Sequence, residues 1–147
     1  MQKNNLNKRE FETLSQFRYQ LRRFLRFSET VTRKHGVTHL QYLLLLHIKG
    51  YQGREWATIG ELAEKLQAHH HGVVSLVSRC EKLGLVHRES GTADRREVEV
   101  HLTAEGEKKV AVLARLHRDE LLKLQGVFQV PDAGDLLGGG TSGQAGS

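Results

Sequence analysis

His69, His70 and His71 are the side chains in this sequence that most readily suggest chemistry. Imidazoles are common ligands of divalent metals. Consecutive positions on a helix point about 100° apart, so the three rings cannot converge on one ion. We therefore expect no metal site here and no cofactor.

Cys80 is the only cysteine, and it falls in an apolar stripe where a buried thiol tends to be inert. A single cysteine forms no intrachain disulfide, so nothing in the sequence requires an oxidising compartment. The sequence has no nucleophile motif, no phosphate-binding loop and no carboxylate pair at a catalytic spacing. We expect no enzymatic activity.

The predicted helix around Cys80 has one apolar and one polar face. Val73, Leu76 and Val77 recur with Cys80 at three- and four-residue steps, which is the period of a helix. The polar face comprises His70, His71, Ser75, Ser78, Arg79 and Lys82. Side chains at the start of such a helix suit hydrogen bonding to DNA base edges, and the basic pair at its end suits phosphates.

A second short helix precedes this one. Thr58 and Glu61 have the spacing of a capping box, which predicts a helix through Leu66. After a break at residues 67–69, the helix with the polar face runs to Gly84. Two short helices joined by a tight turn form a helix-turn-helix candidate.

A β-hairpin is predicted after the two helices. The run 85–89 precedes the turn-rich residues 90–94, and residues 98–102 alternate between apolar and polar types. A helix-turn-helix followed by a hairpin is a winged helix, whose second helix can enter the major groove while the hairpin reaches the backbone or the minor groove. The predicted fold class is mainly α with a small β-hairpin wing, an α+β arrangement.

Longer helices flank the predicted winged helix. Apolar residues at helical spacing predict an amphipathic helix over residues 10–34, and Thr38 can cap a second helix through Lys49. Thr103 can cap a fifth helix that ends near Gly126. The expected division is one unit over residues 10–126, a lobe over 38–102 within it, flanking helices over 10–34 and 103–128, and a disordered glycine-rich tail over 131–147.

The charge balance favours an anionic partner. Among 147 residues, 22 are Lys or Arg and 17 are Asp or Glu, which gives a net charge of +5 and suits a nucleic acid. The apolar run 42–46 ends at His47, far too short to span a bilayer, and the N-terminus lacks the apolar core of a signal peptide. We expect a cytoplasmic protein with no membrane partner.

Three short motifs carry a family resemblance: Gly84-Leu85-Val86, Asp94-Arg95-Arg96 and the run from Leu102 to Gly106. Together they resemble the signature of the MarR (multiple antibiotic resistance regulator) family, with the likeness covering roughly residues 10–126. The resemblance implies a transcriptional regulator that binds double-stranded DNA sequence-specifically as a homodimer. It also implies a repressor that a small molecule releases from a pseudo-palindromic operator.

The resemblance assigns the Asp-x-Arg motif of the wing to DNA contact. Arg96, with Arg95 beside it, would enter the narrow minor groove, where the negative potential is concentrated. Asp94 would orient that arginine. The alternative is that Asp94 only caps the turn.

A homodimer is expected because one winged helix buries little DNA, and dimers commonly place two recognition helices one helical turn apart. The expected seam consists of Leu14, Phe17, Leu21, Leu121, Leu124 and Phe128. Members of the family normally have a sixth helix after the fifth. Here Pro131 and the glycine-rich tail replace much of it.

The resemblance also implies a pocket for a small aromatic or acidic effector. Its candidate lining is Arg23, Phe24, Phe27, His39 and Tyr42, although the same residues fit ordinary core and surface positions. Two other functions stay open: a winged helix for protein–protein interaction, and a metal- or redox-responsive regulator. Metal-responsive relatives pair histidines one turn apart on the fifth helix, whereas His117 has leucines at those spacings.

Overall fold

Six helices and three short strands make up residues 5–137, the part of the chain that the computed structural model describes. They are α1 (Lys8–Lys34), α2 (His39–Lys49), β1 (Trp56–Thr58), α3 (Ile59–Leu66), α4 (His70–Lys82), β2 (Val86–Ser90), β3 (Val98–Leu102), α5 (Ala104–Lys123) and α6 (Ala133–Leu137). The strands form one antiparallel sheet in the order β1-β3-β2. The predicted fold class, mainly α with a small wing, is confirmed.

Strand β1 extends the predicted hairpin to three strands. It pairs with β3, with Trp56 opposite His101 and Thr58 opposite Glu99. A strand of three residues is too short for an alternating pattern to be visible in the sequence. Its pairing with a strand far along the chain therefore had no local signal.

The predicted caps of α2 and α3 are both present. Thr38 Oγ1 accepts a hydrogen bond from the Gln41 backbone N–H at 3.1 Å, and Gln41 Oε1 accepts one from the Thr38 backbone N–H at 2.9 Å. Thr58 and Glu61 make the same reciprocal pair at 3.2 and 2.9 Å. Each box satisfies two backbone donors that the first turn leaves unpaired, which fixes where the helix begins.

Two compact units divide the chain at positions that differ from the predicted ones. The winged-helix unit is Ser28–Asp119, and the terminal unit combines residues up to Phe27 with those from Glu120 onward. The winged-helix unit is larger than the predicted lobe because both long helices contribute to it. Lys109 on α5, for example, donates a hydrogen bond to the His35 backbone carbonyl at 2.7 Å.

The core of the winged-helix unit is centred on α2. Leu44, Leu45 and Ile48 are fully buried there, together with Leu62 of α3 and Val73 of α4. A helix that is apolar nearly all round is stable only when neighbouring elements cover it on several sides. Within residues 5–137, no helix is long and apolar enough to cross a membrane.

The step from the hairpin into α5 is closely packed. The Thr103 backbone N–H donates to the Leu85 carbonyl at 3.0 Å, and the Thr103 hydroxyl donates to the Gly84 carbonyl at 2.6 Å. The same hydroxyl accepts the Gly106 backbone N–H at 3.0 Å, which caps the helix as predicted. A Cβ atom at Gly106 would overlap the Leu85 carbonyl oxygen, so only glycine fits there.

Helix α6 lies in the segment predicted to be disordered. Asp132 and Asp135 exchange side-chain and backbone hydrogen bonds at 3.0 and 2.9 Å, the reciprocal pattern of a capped helix start. The disorder was predicted from the glycine content of the whole tail, which gives no weight to a local cap formed by two aspartates. The rest of the predicted tail, residues 138–147, lies outside the described residues.

Candidate nucleic-acid interface

Helix α4 carries a stripe of exposed polar side chains. Val73, Leu76, Val77 and Cys80 are buried on its other side. The stripe consists of His71, Ser75, Arg79 and Lys82, all of them exposed and spaced by three or four residues. Four of the six residues predicted for the polar face of this helix therefore share one outward surface.

His70 lies at the edge of the stripe, beside the wing. It lines a cavity of about 430 Å³ together with Arg88 and Arg96 from the hairpin segment, and with Thr58 and Ile59 at the start of α3. The neighbouring rings of His69 and His71 stack with their centroids 5.8 Å apart. The first turn of α4 and the wing thus approach the same space.

Ser78, also predicted for the polar face, instead links α4 to the wing. Its hydroxyl accepts a hydrogen bond from Arg88 Nη2 at 2.7 Å, and the same nitrogen donates to the Val74 carbonyl at 3.0 Å. Arg88 also forms an ion pair with Glu81 at 3.4 Å. The alternation of side chains along β2 could have indicated that Arg88 faces α4, on the same side as Val86.

The wing holds its arginine through the acid two residues earlier. Asp94 accepts three hydrogen bonds from Arg96, from Nε at 3.2 Å, from Nη2 at 3.1 Å and from the backbone N–H at 3.0 Å. The Arg96 side chain is 90% exposed. Bonding to Arg96 lowers the pKa of Asp94, so the carboxylate stays charged and the guanidinium stays oriented.

A short turn fixes the loop that carries this pair. The Gly91 backbone N–H donates to the Glu97 carbonyl at 2.9 Å, and the Glu97 N–H donates to the Asp94 carbonyl at 3.0 Å. A Cβ at Gly91 would overlap the Asp94 carbonyl oxygen. Arg95 is exposed in the same loop, so two cations project from it.

Comparison by sequence matches residues 35–97 to the MarR family. The match spans α2, β1, α3, α4, β2 and the wing loop, so it includes both the α4 stripe and the Asp94–Arg96 pair. Residues 35–97 are therefore similar to the winged helix of the MarR family. No curated protein sequence matches the chain.

Solved structures share the fold of this chain. A MarR family protein from Bacillus stearothermophilus matches with a TM-score of 0.69 and 21% identity, covering 85% of this chain and 86% of its own. AbsC, a MarR family transcriptional regulator from Streptomyces coelicolor, matches with a TM-score of 0.66 and 22% identity, covering 75% and 74%. A variant of MepR from S. aureus, bound to an oligodeoxyribonucleotide, has a TM-score of 0.61 and 20% identity, covering 77% and 81%.

The five residues predicted to line an effector pocket are divided between the two units of the chain. His39 lines a cavity of about 510 Å³ in the winged-helix unit, next to Glu29 and Arg33. Tyr42 is buried and stacks on His117, with the ring centroids 4.4 Å apart. The predicted residues Arg23, Phe24 and Phe27 lie in the terminal unit.

His117 and Cys80 are buried and lie in structural positions. His117 contacts the Leu113 carbonyl through Nδ1 at 2.7 Å and the Ser28 hydroxyl through Nε2 at 2.9 Å. Cys80 is fully buried, and burial raises the pKa of its thiol to about 11. The thiolate is the reactive form, so this thiol is poorly suited to redox sensing.

Aromatic side chains hold the terminal unit together. The ring of Phe128 stacks on Phe17 and Phe24, with centroids 5.9 and 6.3 Å apart. Leu14 and Leu121, both predicted for the dimer seam, are exposed, and Leu21 and Leu124 are half-buried. All six predicted seam residues lie in this unit.

Proposed function

We propose that this protein is a transcriptional regulator that binds a specific double-stranded DNA sequence as a homodimer. The observation that carries the proposal is the shared location of two features in the winged-helix unit. One is the exposed stripe of α4, and the other is the Arg96 guanidinium, held by Asp94 yet open to solvent. Such a pair suits a helix in the major groove and a cation in the minor groove.

The polar side chains of α4 and the wing divide by the part of DNA that they suit. His70, His71 and Ser75, near the start of α4, would hydrogen-bond to base edges. Arg79 and Lys82, near its end, would contact phosphates, as would Arg95. The MepR variant that shares this fold is bound to an oligodeoxyribonucleotide, which supports DNA binding by this fold.

Arg96→Ala is expected to weaken binding to a specific duplex by about 10- to 100-fold. The reason is that the substitution removes a cation from the minor groove, together with the two side-chain hydrogen bonds to Asp94 that orient it. Binding to fluorescent duplexes from around the protein's own gene, measured across a salt series, gives the affinity and the salt slope.

Arg118→Ala is the matched control for this experiment. Arg118 is also an exposed arginine paired with a nearby acid, Asp119 at 3.2 Å, but it lies on α5. Its loss should leave the affinity for the specific duplex nearly unchanged. Equal losses in the two variants would mean that only total charge matters, and the proposed role of the wing would be wrong.

The homodimer is supported by the exposed apolar surface of the terminal unit. Ten of the twelve large hydrophobic side chains that are exposed among residues 5–137 lie there. Surfaces of this kind in a soluble chain commonly mark protein–protein contacts. The proposed seam includes the six predicted residues Leu14, Phe17, Leu21, Leu121, Leu124 and Phe128.

We further propose that the regulator is a cytoplasmic repressor that a small acidic or aromatic molecule releases from DNA. The cavity beside His39 supports this because Arg33 and His39 supply cationic or hydrogen-bonding groups for an acid. An effector acts only through different affinities for the free and the DNA-bound conformations. Phenolic acids titrated against the protein–DNA complex should dissociate it. A complex that no acidic or aromatic compound in a broad panel dissociates would count against release by an effector.

A further inference from the structure

The hairpin carries a cluster of two histidine and two glutamate side chains, of which His87 and Glu89 are exposed and Glu99 is buried. In the register of β2 and β3, His87 lies opposite His101 and Glu89 lies opposite Glu99. Alternation along a strand points all four side chains to one face, away from the Arg88 side chain that contacts α4. None of the four belongs to the proposed DNA-binding set.

The polar atoms of this cluster converge. Glu89 bridges two imidazoles, with Oε1 3.0 Å from His87 Nε2 and Oε2 3.1 Å from His101 Nε2. Each of His87, Glu89 and His101 offers one ligand atom, an imidazole nitrogen or a carboxylate oxygen, and these three atoms lie within 4.8 Å of one another. In a tetrahedral zinc site the ligand atoms are about 3.3 Å apart, given bond lengths near 2.0–2.1 Å. The spacing of the cluster therefore needs little adjustment to surround an ion.

The charges of the cluster favour a cation. Glu89 and Glu99 are directly opposed on paired strands, an arrangement of like charges that destabilises a sheet. His101 Nε2 is 3.0 Å from Glu99 Oε1 as well as close to Glu89, so one N–H is shared by two carboxylates. A divalent ion would balance both carboxylates and leave each imidazole neutral, as metal ligands must be.

Neighbouring groups hold the cluster in place. The Glu99 carboxylate accepts hydrogen bonds from the Thr92 backbone N–H at 3.0 Å and from the Thr92 hydroxyl at 3.3 Å. The His101 ring stacks between Trp56 and His87, at centroid distances of 6.0 and 5.4 Å. Outer contacts of this kind orient metal ligands in proteins.

We propose that His87, Glu89 and His101 form a binding site for a divalent transition-metal ion, for which Zn²⁺ is the probe. Two imidazoles and a carboxylate are a ligand set that suits Zn²⁺, with a fourth position open to water or to the nearby Glu99 carboxylate. The ion would tie β2 to β3, so its binding would stabilise the hairpin. The site combines residues of two paired strands, unlike the consecutive histidines 69–71.

The test is titration of the untagged, chelator-treated full chain with Zn²⁺, by calorimetry and by thermal unfolding. Visible absorption of the Co²⁺-loaded protein reports whether the ligands are tetrahedral. His87→Gln and Glu89→Gln each replace a ligand with a neutral amide, a much weaker ligand for Zn²⁺, and both side chains are about half exposed, so the fold should tolerate the changes. His69→Gln is the control because it removes a histidine from the other histidine cluster of the chain.

We expect one Zn²⁺ per chain, a higher unfolding temperature with Zn²⁺, and an affinity at least about tenfold lower in each ligand variant. His69→Gln should bind as the wild type does. The proposal is overturned if the chain binds no Zn²⁺, or if His69→Gln loses the ion while the two wing variants keep it. DNA binding measured in the presence of a chelator tests the proposed function separately, so failure of one proposal is not failure of the other.

Discussion

Leu121→Glu is expected to convert the protein from a dimer into a monomer and to weaken its specific DNA binding by at least about 100-fold. Leu121 is 46% exposed on α5, so a charge there leaves the protomer fold intact. In the dimer the same charge would be buried in an apolar seam without a partner, which is strongly unfavourable. A monomer then presents one recognition helix where the operator offers two half-sites.

Leu40→Glu is the matched control for this substitution. Leu40 is also 46% exposed, but it lies on α2 in the winged-helix unit. Sedimentation or light scattering at micromolar concentration should give a dimer for Leu40→Glu and for the wild type. If Leu121→Glu remains a dimer under the same conditions, the proposed seam is wrong.

Gly106→Ala is expected to lower the free energy of unfolding by about 2–3 kcal/mol, at the upper end of what overpacking usually costs. The added methyl group would overlap the Leu85 backbone carbonyl, and a backbone atom cannot rotate away as a side chain can. Relief requires α5 to move off the hairpin, which weakens the Thr103 hydrogen bonds to Gly84 and Leu85. Urea unfolding of both proteins measures the difference.

Gly72→Ala provides a control of opposite sign. Gly72 lies in α4, and no atom lies within 4 Å of the place that an added methyl group would occupy, so alanine should stabilise the helix by about 0.5–1 kcal/mol. Both variants replace glycine with alanine, so the opposite signs of their effects on stability come from the close packing at Gly106. Equal effects at the two positions would contradict the packing described for the start of α5.

Local signals in the sequence predicted most of the helices. The Thr58–Glu61 box, the Thr38 cap and the Thr103 cap are patterns within four residues, and each one is present as a hydrogen-bonded cap. Helical spacing likewise separated the buried and exposed sides of α4. Such patterns are visible because the interacting groups are close in sequence.

Long-range pairing was the part that the sequence did not reveal. Strand β1 is recognisable as a strand only from its pairing with β3. The Ser78–Arg88 hydrogen bond likewise depends on how β2 packs against α4. The wing cluster has the same origin, because His87 and His101 meet only through strand register. Spacing along the sequence draws attention only to histidines that are close together, such as the consecutive histidines 69–71. The wing cluster was missed because side chains from different strands meet only when the pairing of those strands is known.

Footprinting of the wild-type protein on the DNA around its own gene, combined with the stoichiometry of the complex, tests the central claim most directly. The account predicts one discrete protected site that holds two protomers, with half-sites about one helical turn, ~34 Å, apart. Protection that is spread evenly along the DNA and disappears with modest salt, or a site that holds one protomer, would contradict it.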